Sequence, residues 1–513
     1  MALTKYDWIL AIISIAFCCS AFGNGANDVA NSYASSVAAR TLSMKQVGFL
    51  SAITEFVGAV ALGSRVTSTI KNGIIKISRF EGNPGALILA MSCAEVGSAS
   101  WLLIATKVGF PVSTTQTIVG ALIGVGFASE TPIKWAWDDG SVSQIAASWA
   151  VAPGIAGCFA ALLFGTVKYS VLERKDSLKW AMRLIPAYLA FTASMLALFI
   201  VVEAPTAPSL EEFGAGKATG IILGVFFGSL AIAYGFFLPY FHRRLIKEDS
   251  RLKWWHIPLG PSLWSDDPYI YLPSKDTEIV TDHYKGATEI NDASSLDSPA
   301  IEAKDSDNKS ADTSALEQGE NGRTKGLRQR RKQPDREPEE KYLDPVAHLQ
   351  LLHPSRMWGT MKYILLQGVT RDCITFGSAN LKAKHALTIR YDNRVEHLWT
   401  YAQVASAMLM SIAHGSNDVS NAVGPWSAAY STYKANAVDS ESAAPRWILA
   451  IAGFLLGAGF WFFGYHIIRS IGNRITQLSP TRGVDHHNAC CGTDFWTVHV
   501  DRTEHASLLK TER

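Results

Sequence analysis

Several stretches of this chain are apolar, with few or no charges, for about the 18 residues or more that a helix needs to cross a bilayer. They include residues 8–22, 142–167, 185–202, 217–241 and 447–468. One such stretch near the start of a chain reads as a secretory signal, but repeated spans do not. The expected fold class is therefore an all-α polytopic membrane protein. The 18% of charged residues and the net charge of +2 conceal this, because the charge is concentrated in a few segments.

Two membrane blocks flank a polar middle. Residues 1–241 form the first block and 397–483 a partial second one, with a loop at 242–396 and a polar tail at 484–513. Within the loop, residues 278–341 are rich in Ser, Asp, Glu, Lys and Arg and bury too little apolar surface to repay ordering entropy, so disorder is expected there. Its basic run at 328–332 reads as a solvated charge cluster. The loops at 168–183 and 242–253 are net positive and read as cytoplasmic, whereas 129–141 and 203–216 are net negative and read as the opposite face. The basic loop 65–79 disagrees by charge, yet the crossing count puts it outside. Asn308, the one glycosylation sequon, then faces the cytoplasm and stays unmodified. Trp8, Trp135, Trp137 and Trp447 near span ends read as interfacial anchors. Cys18, Cys19, Cys93 and Cys158 read as small buried hydrophobes in apolar spans. The tail run from His486 to Cys491 matches no familiar metal spacing.

An internal repeat is the strongest organisational signal. Gly25-Ala26-Asn27-Asp28-Val29-Ala30-Asn31 recurs as Gly415-Ser416-Asn417-Asp418-Val419-Ser420-Asn421. Each copy is expected to interrupt a span at its glycine, and the crossing count sets the two in opposite orientations. Paired interruptions of this kind point to a binding site made from broken helices. Asp28 and Asp418 stand inside apolar spans, where a carboxylate costs several kcal/mol on some scales. Asn27 and Asn31, four apart, share a helix face beside the acid. Oxygen ligands of this kind suit a hard cation such as Na⁺. Glu55 is a second intramembrane acid and Glu95 a third, each either a neutral hydrogen-bonded group or an ion or proton site. His414 reads as a packing or hydrogen-bonding residue.

Gly109-Phe110-Pro111 ends one span, and Val112-Ser113-Thr114-Thr115-Gln116 opens the next helix. A helix N-terminus offers orphan N–H groups and positive partial charge to an anion, and the hydroxyls add donors. Capping by Ser113 alone is the simpler account, but three consecutive hydroxyls and a glutamine exceed what a cap needs. No nucleophile and base are paired, and no phosphate-binding loop or dinucleotide fingerprint stands in a credible context, so an enzyme is not expected.

The two motif copies, the Pro111–Gln116 run, the continuation through Ala422-Val423-Gly424-Pro425-Trp426 and Ser479-Pro480-Thr481-Arg482-Gly483 resemble signatures of the inorganic phosphate transporter family. Residues 391–399 look like its fungal phosphate-repressible members. The resemblance implies an inverted-repeat transporter with broken helices and a re-entrant hairpin. It implies symport of inorganic phosphate with Na⁺ (H⁺ in some members) by alternating access at a midplane site. It carries Asn27, Asp28, Asn417, Asp418 and Glu55 to the cation, and Ser113, Thr114, Thr115, Gln116, Asn31 and Asn421 to phosphate. No cofactor beyond the coupling ion and no nucleic-acid partner is implied. A multi-pass plasma-membrane protein is expected, with the central loop cytoplasmic, as a single chain or a homodimer.

The family pattern continues after Ser-Pro-Thr-Arg-Gly with a second acid-bearing span and a second Pro-Val-Ser-Thr-Thr hairpin. Residues 484–513 carry neither, so the second repeat is expected to be truncated. Two alternatives follow: a transport-inactive isoform or receptor-like regulatory protein, and a transporter of another oxyanion such as sulfate.

Overall fold

The structure is a computed structural model that describes residues 4–63, 74–137, 141–203, 214–249, 251–265, 280, 282–284, 337–374, 388–438, 444–471 and 478–483. Among these residues the fold is nearly all helical, with no strand beyond an isolated bridge between Ile75 and Ile133. The principal helices are α1 (Asp7–Asn27), α2 (Val29–Ala38), α3 (Met44–Leu62), α4 (Pro84–Val108), α5 (Thr114–Ala128), α6 (Val142–Val167), α7 (Ser177–Glu203), α8 (Ala215–Ile232), α9 (Pro354–Thr370), α10 (Asn393–Ala435) and α11 (Arg446–Ile471). Among the described residues, seven helical segments are long and apolar enough to cross a membrane, with α1 and α2 counted as one.

Local sequence explains the boundaries. Ser43 and Gln46 form a reciprocal capping box at the start of α3. Asn83 caps α4 with Pro84 in its first turn. Gly109 ends α4 in the left-handed conformation (φ 77°), and Ser113 caps α5 through the Gln116 N–H. These two signals, four residues apart, turn the chain back on itself and make α4–α5 a helical hairpin.

Helices α1, α3, α4, α10 and α11 form the densely packed centre. By contrast, α6 buries only its two terminal valines and α8 only Ala218, although both are apolar all round. A helix apolar on every side and packed on few of them faces lipid. Cys18, Cys93 and Cys158 lie on that outer surface as well. They correct the expectation of buried cysteines, because a polarizable thiol is at no disadvantage against acyl chains. The four tryptophans expected as interfacial anchors are all exposed.

Three contacts fix the relative direction of α1 and α10. Tyr433 donates to Asp7, Trp426 Nε1 donates to Ser14, and Asn24 Nδ2 donates to the Asp418 carbonyl. As one partner advances the other recedes, so the helices are antiparallel and the motif copies meet in opposite orientations, as the crossing count requires.

The expected interruptions are corrected. α10 runs unbroken for 43 residues through Gly415–Asn421, and Asp28 retains helical backbone (φ −87°, ψ −35°) between α1 and α2. The glycines serve close approach instead. A Cβ on Gly25 would stand 1.9 Å from the Leu456 carbonyl oxygen, and one on Gly415 would stand 2.6 Å from that of Glu55. Small residues at such crossings let backbones touch where lipid supplies no hydrophobic drive.

The loop expectation is also corrected at its edges. His283 and Tyr284 are buried, the first bonded through Nδ1 to the Ala39 carbonyl and the second donating to Glu396. The Thr481 N–H and hydroxyl donate to the same carboxylate, so the Ser-Pro-Thr-Arg-Gly segment docks there too. A short helix at Pro338–Tyr342 is held by Glu337 and Glu339 against Arg371, with Glu337 also pairing Arg469. Residues 285–336, with the basic run and Asn308, lie outside the described residues, as does 484–513. The central loop meets the α2–α3 turn and the start of α10. Ile74 and Lys134 are bonded at the opposite end, which joins the dissenting basic loop's described portion to the acidic 129–141 loop.

Two outcomes are expected. Gly25→Val overpacks the α1–α11 crossing and should lower stability by about 1–3 kcal/mol. This is read as a fall in Tm of the detergent-solubilised chain, and an unchanged Tm refutes the close-approach role. Burial pushes the His283 imidazole below its ordinary pKa, and its Nε2 is buried without a partner among the described residues. The neutral form is therefore the docked one. The docking contribution is complete above about pH 6.5 and is lost as pH falls below it. This should appear as lower amide protection at 282–284, relative to the intrinsic exchange rate at each pH, a fall that His283→Gln abolishes.

Candidate ion and anion site

The hairpin tip meets the first motif through Asn27. Its Nδ2 donates to Thr106 Oγ1 and to the Phe110 carbonyl, each at 3.0 Å, and its Oδ1 accepts from the Val112 N–H at 3.0 Å. One fully buried amide thus satisfies the backbone that the Gly-Phe-Pro break leaves without helical partners. Fixing the tip there aims the N-terminus of α5 at Asp28. Asp28 Oδ2 accepts from the Thr114 hydroxyl at 2.7 Å and from the Thr114 N–H at 3.3 Å. The N-terminal partial charge of α5 already faces an internal anion.

The second motif closes the site from the other side. Asp418 Oδ1 accepts from Thr115 Oγ1 at 3.3 Å and from Asn421 Nδ2 at 3.2 Å. Asn421 Nδ2 also reaches Thr114 Oγ1 and Thr115 Oγ1, each at 3.0 Å. Asp28, Asp418, Thr114, Thr115 and Asn421 therefore form one connected polar cluster built from α1–α2, α5 and α10.

His414 belongs to the same cluster. Its Nδ1 lies 2.8 Å from Glu55 Oε2, and its Nε2 lies 3.1 Å from Asp418 Oδ2. Glu55 accepts in addition from Ser411 Oγ at 2.5 Å, and Ser411, Thr54 and Tyr33 continue the hydroxyl chain. The sequence alone assigns His414 no more than packing or hydrogen bonding, and its bridging of two acids goes beyond that. The missed signal was its spacing, since 411, 414 and 418 share one helix face with the acid. Asn24, four residues before Asp28, was missed in the same way.

Not every expected residue joins. Ser113 and Gln116 point away from the acids and line an open cavity of about 780 Å³ with Ser98, Trp101, Pro111 and Thr117. The hydroxyl run is thereby split, because successive helical residues diverge by about 100°. The Asn31 side chain makes no hydrogen bond among the described residues, and its N–H donates to the Asp28 carbonyl. Glu95 is fully buried beside Ser20, about three turns of α4 from Thr106.

Several acceptors remain unspent. Asn24 Oδ1, Asp28 Oδ1 and Asn417 Oδ1 are buried without a hydrogen-bond partner among the described residues. One ligand atom each from Asp28, His414 and Asp418 lie within 4.8 Å of one another. Oxygen-to-ion distances of about 2.3–2.6 Å, typical of a larger hard cation, let one ion touch both carboxylates. Buried oxygen acceptors with no donor are what such a cation satisfies.

A bundle of spanning helices, two antiparallel acidic motifs inside it and a helical hairpin aimed between them define a polytopic membrane transporter. The chain belongs to the phosphate transporter family (PHO4), whose model matches residues 24–492 and so runs past Gly483. It is 34% identical to the phosphate-repressible phosphate permease pho-4 of Neurospora crassa, over 94% of this chain and 86% of that protein. It is 23% identical to a sodium-dependent phosphate transporter of Plasmodium falciparum, over 93% of this chain and 80% of that one. A solved structure of "The sodium-dependent phosphate transporter" shares the fold with a TM-score of 0.59 and 21% identity, covering 96% of this chain and 85% of that one.

Asn27→Ala should free the hairpin tip, since each unsatisfied buried group costs about 1–3 kcal/mol. The expected readout is at least about tenfold faster maleimide labelling of a cysteine placed at Val112, each 1.4 kcal/mol being tenfold. Unchanged labelling removes Asn27 from this role.

Proposed function

We propose that this chain carries inorganic phosphate across the plasma membrane, coupled to Na⁺ bound by Asp28 and Asp418, with the central loop in the cytoplasm. The observation that carries the reading is the meeting of buried Asp28 and partly buried Asp418 from antiparallel motif copies, with oxygens unpartnered among the described residues beside them and a helix N-terminus facing them. The family membership and the names of the sodium-dependent relatives support phosphate and sodium as the pair.

Charge explains the coupling. An anion approaching Thr114 and Thr115 meets Asp28 and Asp418 at short range in a medium that screens poorly, so it is repelled. A cation between the carboxylates cancels that repulsion. It also draws Asp28 Oδ2 from the Thr114 donors, leaving the N-terminus of α5 for a phosphate oxygen. Asn421, held between both threonines and Asp418, couples the two events. Asn27 serves as the strut of the hairpin, and Glu55 acts through His414 to hold Asp418. Antiparallel motif copies give the site two similar faces, the arrangement alternating access requires.

The test is radiolabelled phosphate uptake in cells lacking their own high-affinity phosphate transporters, with surface expression measured in parallel. Sodium-dependent uptake is expected, displaced by excess phosphate and not by sulfate. Removing one partner of a buried charged set costs about 3–5 kcal/mol. Asp28→Asn should therefore weaken sodium activation by about a hundredfold or more at normal surface expression. Uptake indifferent to sodium in both proteins overturns the coupling, and displacement by sulfate as readily as by phosphate overturns the substrate.

A further inference from the structure

The polar central loop contains a helix whose outer face is not polar. On α9, Met357, Trp358, Met361, Ile364 and Leu365 are exposed, and Leu352 just before it is 84% exposed. At 100° per residue these positions fall on one side of the helix. The opposite side is covered by the short helix at Pro338–Tyr342. Tyr363 donates to Glu339 at 3.0 Å, and a Cβ on Gly359 would stand 2.7 Å from the Tyr342 carbonyl oxygen. One face of α9 is thus spent on protein, and the other is apolar and not covered by any of the described residues.

Two observations say what covers it. First, the apolar face is continuous with the outer surface of a membrane span. Trp461 Nε1 of α11 donates to the Leu365 carbonyl at 2.7 Å, and Gly368 abuts the backbone of Trp461 and Phe462. On the same helix Phe454 and Phe463 are exposed. The crossing at Trp461 lies about two turns inside Arg469, the basic end of α11, which is the depth of a bilayer interface. Second, residues 346–370 contain Arg356 and Lys362 and no Asp or Glu. The Lys362 ammonium stands 5.1 Å from the centre of the Trp358 ring, and Arg356 also donates to the Ala347 carbonyl. An amphipathic helix with Trp, Met and Leu on its apolar face, Lys362 on one flank and Arg356 on its polar side is built for the plane of a membrane surface with anionic headgroups.

We propose that α9 with Leu352 is an in-plane membrane anchor, its apolar face sunk in the bilayer interface on the loop side and its two cations on anionic headgroups. The loop then leaves and re-enters the protein at the lipid surface, and Pro338–Tyr342, clamped by Arg371 and Arg469, is held against α11 from the water side. This anchor is independent of the ion carried through the centre.

The full chain, with native cysteines replaced by alanine, is placed in lipid nanodiscs with single spin labels at Met361, Ile364 and Ser355. Collisions with oxygen are expected to exceed those with a water-soluble nickel chelate several-fold at 361 and 364, and the order should reverse at 355. Nickel access at 361 and 364 equal to that at 355 overturns the proposal. Exclusion of both colliders overturns it too, because a second protein surface then covers the face. Adding phosphatidylserine to phosphatidylcholine discs should raise the ratio at 361 further, and Arg356→Gln with Lys362→Gln should remove that rise. A ratio indifferent to phosphatidylserine overturns the headgroup contacts.

Discussion

Carboxylates buried inside a bilayer have no water to fall back on, so each must be met by donors or by a cation. Buried Asp28 and partly buried Asp418 impose that demand from two antiparallel helices, and much of the centre is arranged to answer it. The α4–α5 hairpin brings an N-terminus and two threonine hydroxyls to them. His414 bridges Asp418 to Glu55 and so ties α3 to α10. Glycines at the crossings let α1, α3, α10 and α11 approach closely enough for these short side chains to reach one another.

The arrangement satisfies the acids only in part. Among the described residues Asp28 Oδ1 has no donor, nor do the amide oxygens of Asn24 and Asn417. A site fully satisfied by its own side chains would gain nothing from an ion, and one without donors would not hold together unoccupied. Hydrogen bonds to one oxygen of Asp28 with the other left open is a compromise between these limits. In the proposed coupling the same compromise lets a cation and an anion bind in sequence, because the Thr114 hydroxyl donates either to Asp28 or to an incoming oxyanion.

Around this centre the periphery divides by solvent. α6 and α8 face lipid with apolar side chains on nearly every side, and the loop side is locked by polar contacts to Glu396, Ala39 and Arg371. Glu396 receives both Tyr284 from the central loop and Thr481 from the Ser-Pro-Thr-Arg-Gly segment. Two distant parts of the chain thus converge on one buried carboxylate at the foot of α10, the helix that also carries Asp418.

The sequence by itself determined the membrane class, the two acidic motifs, the helix start at Ser113 and the antiparallel relation of the copies. Each rests on local length, charge or spacing, which a chain carries wherever it folds. What the sequence misread were quantities set by neighbours. Gly415 looked like a break, but α3 packs so close that glycine is needed to continue the helix rather than to end it. Four residues from Ser113 to Gln116 looked like one anion site, but helical geometry sends two towards Asp28 and Asp418 and two into the open cavity. His283 and Tyr284 looked like part of a disordered loop, because nothing local shows that Ala39 and Glu396 wait for them. Only the tertiary structure decided these points, since partners hundreds of residues apart leave no periodic trace in the sequence.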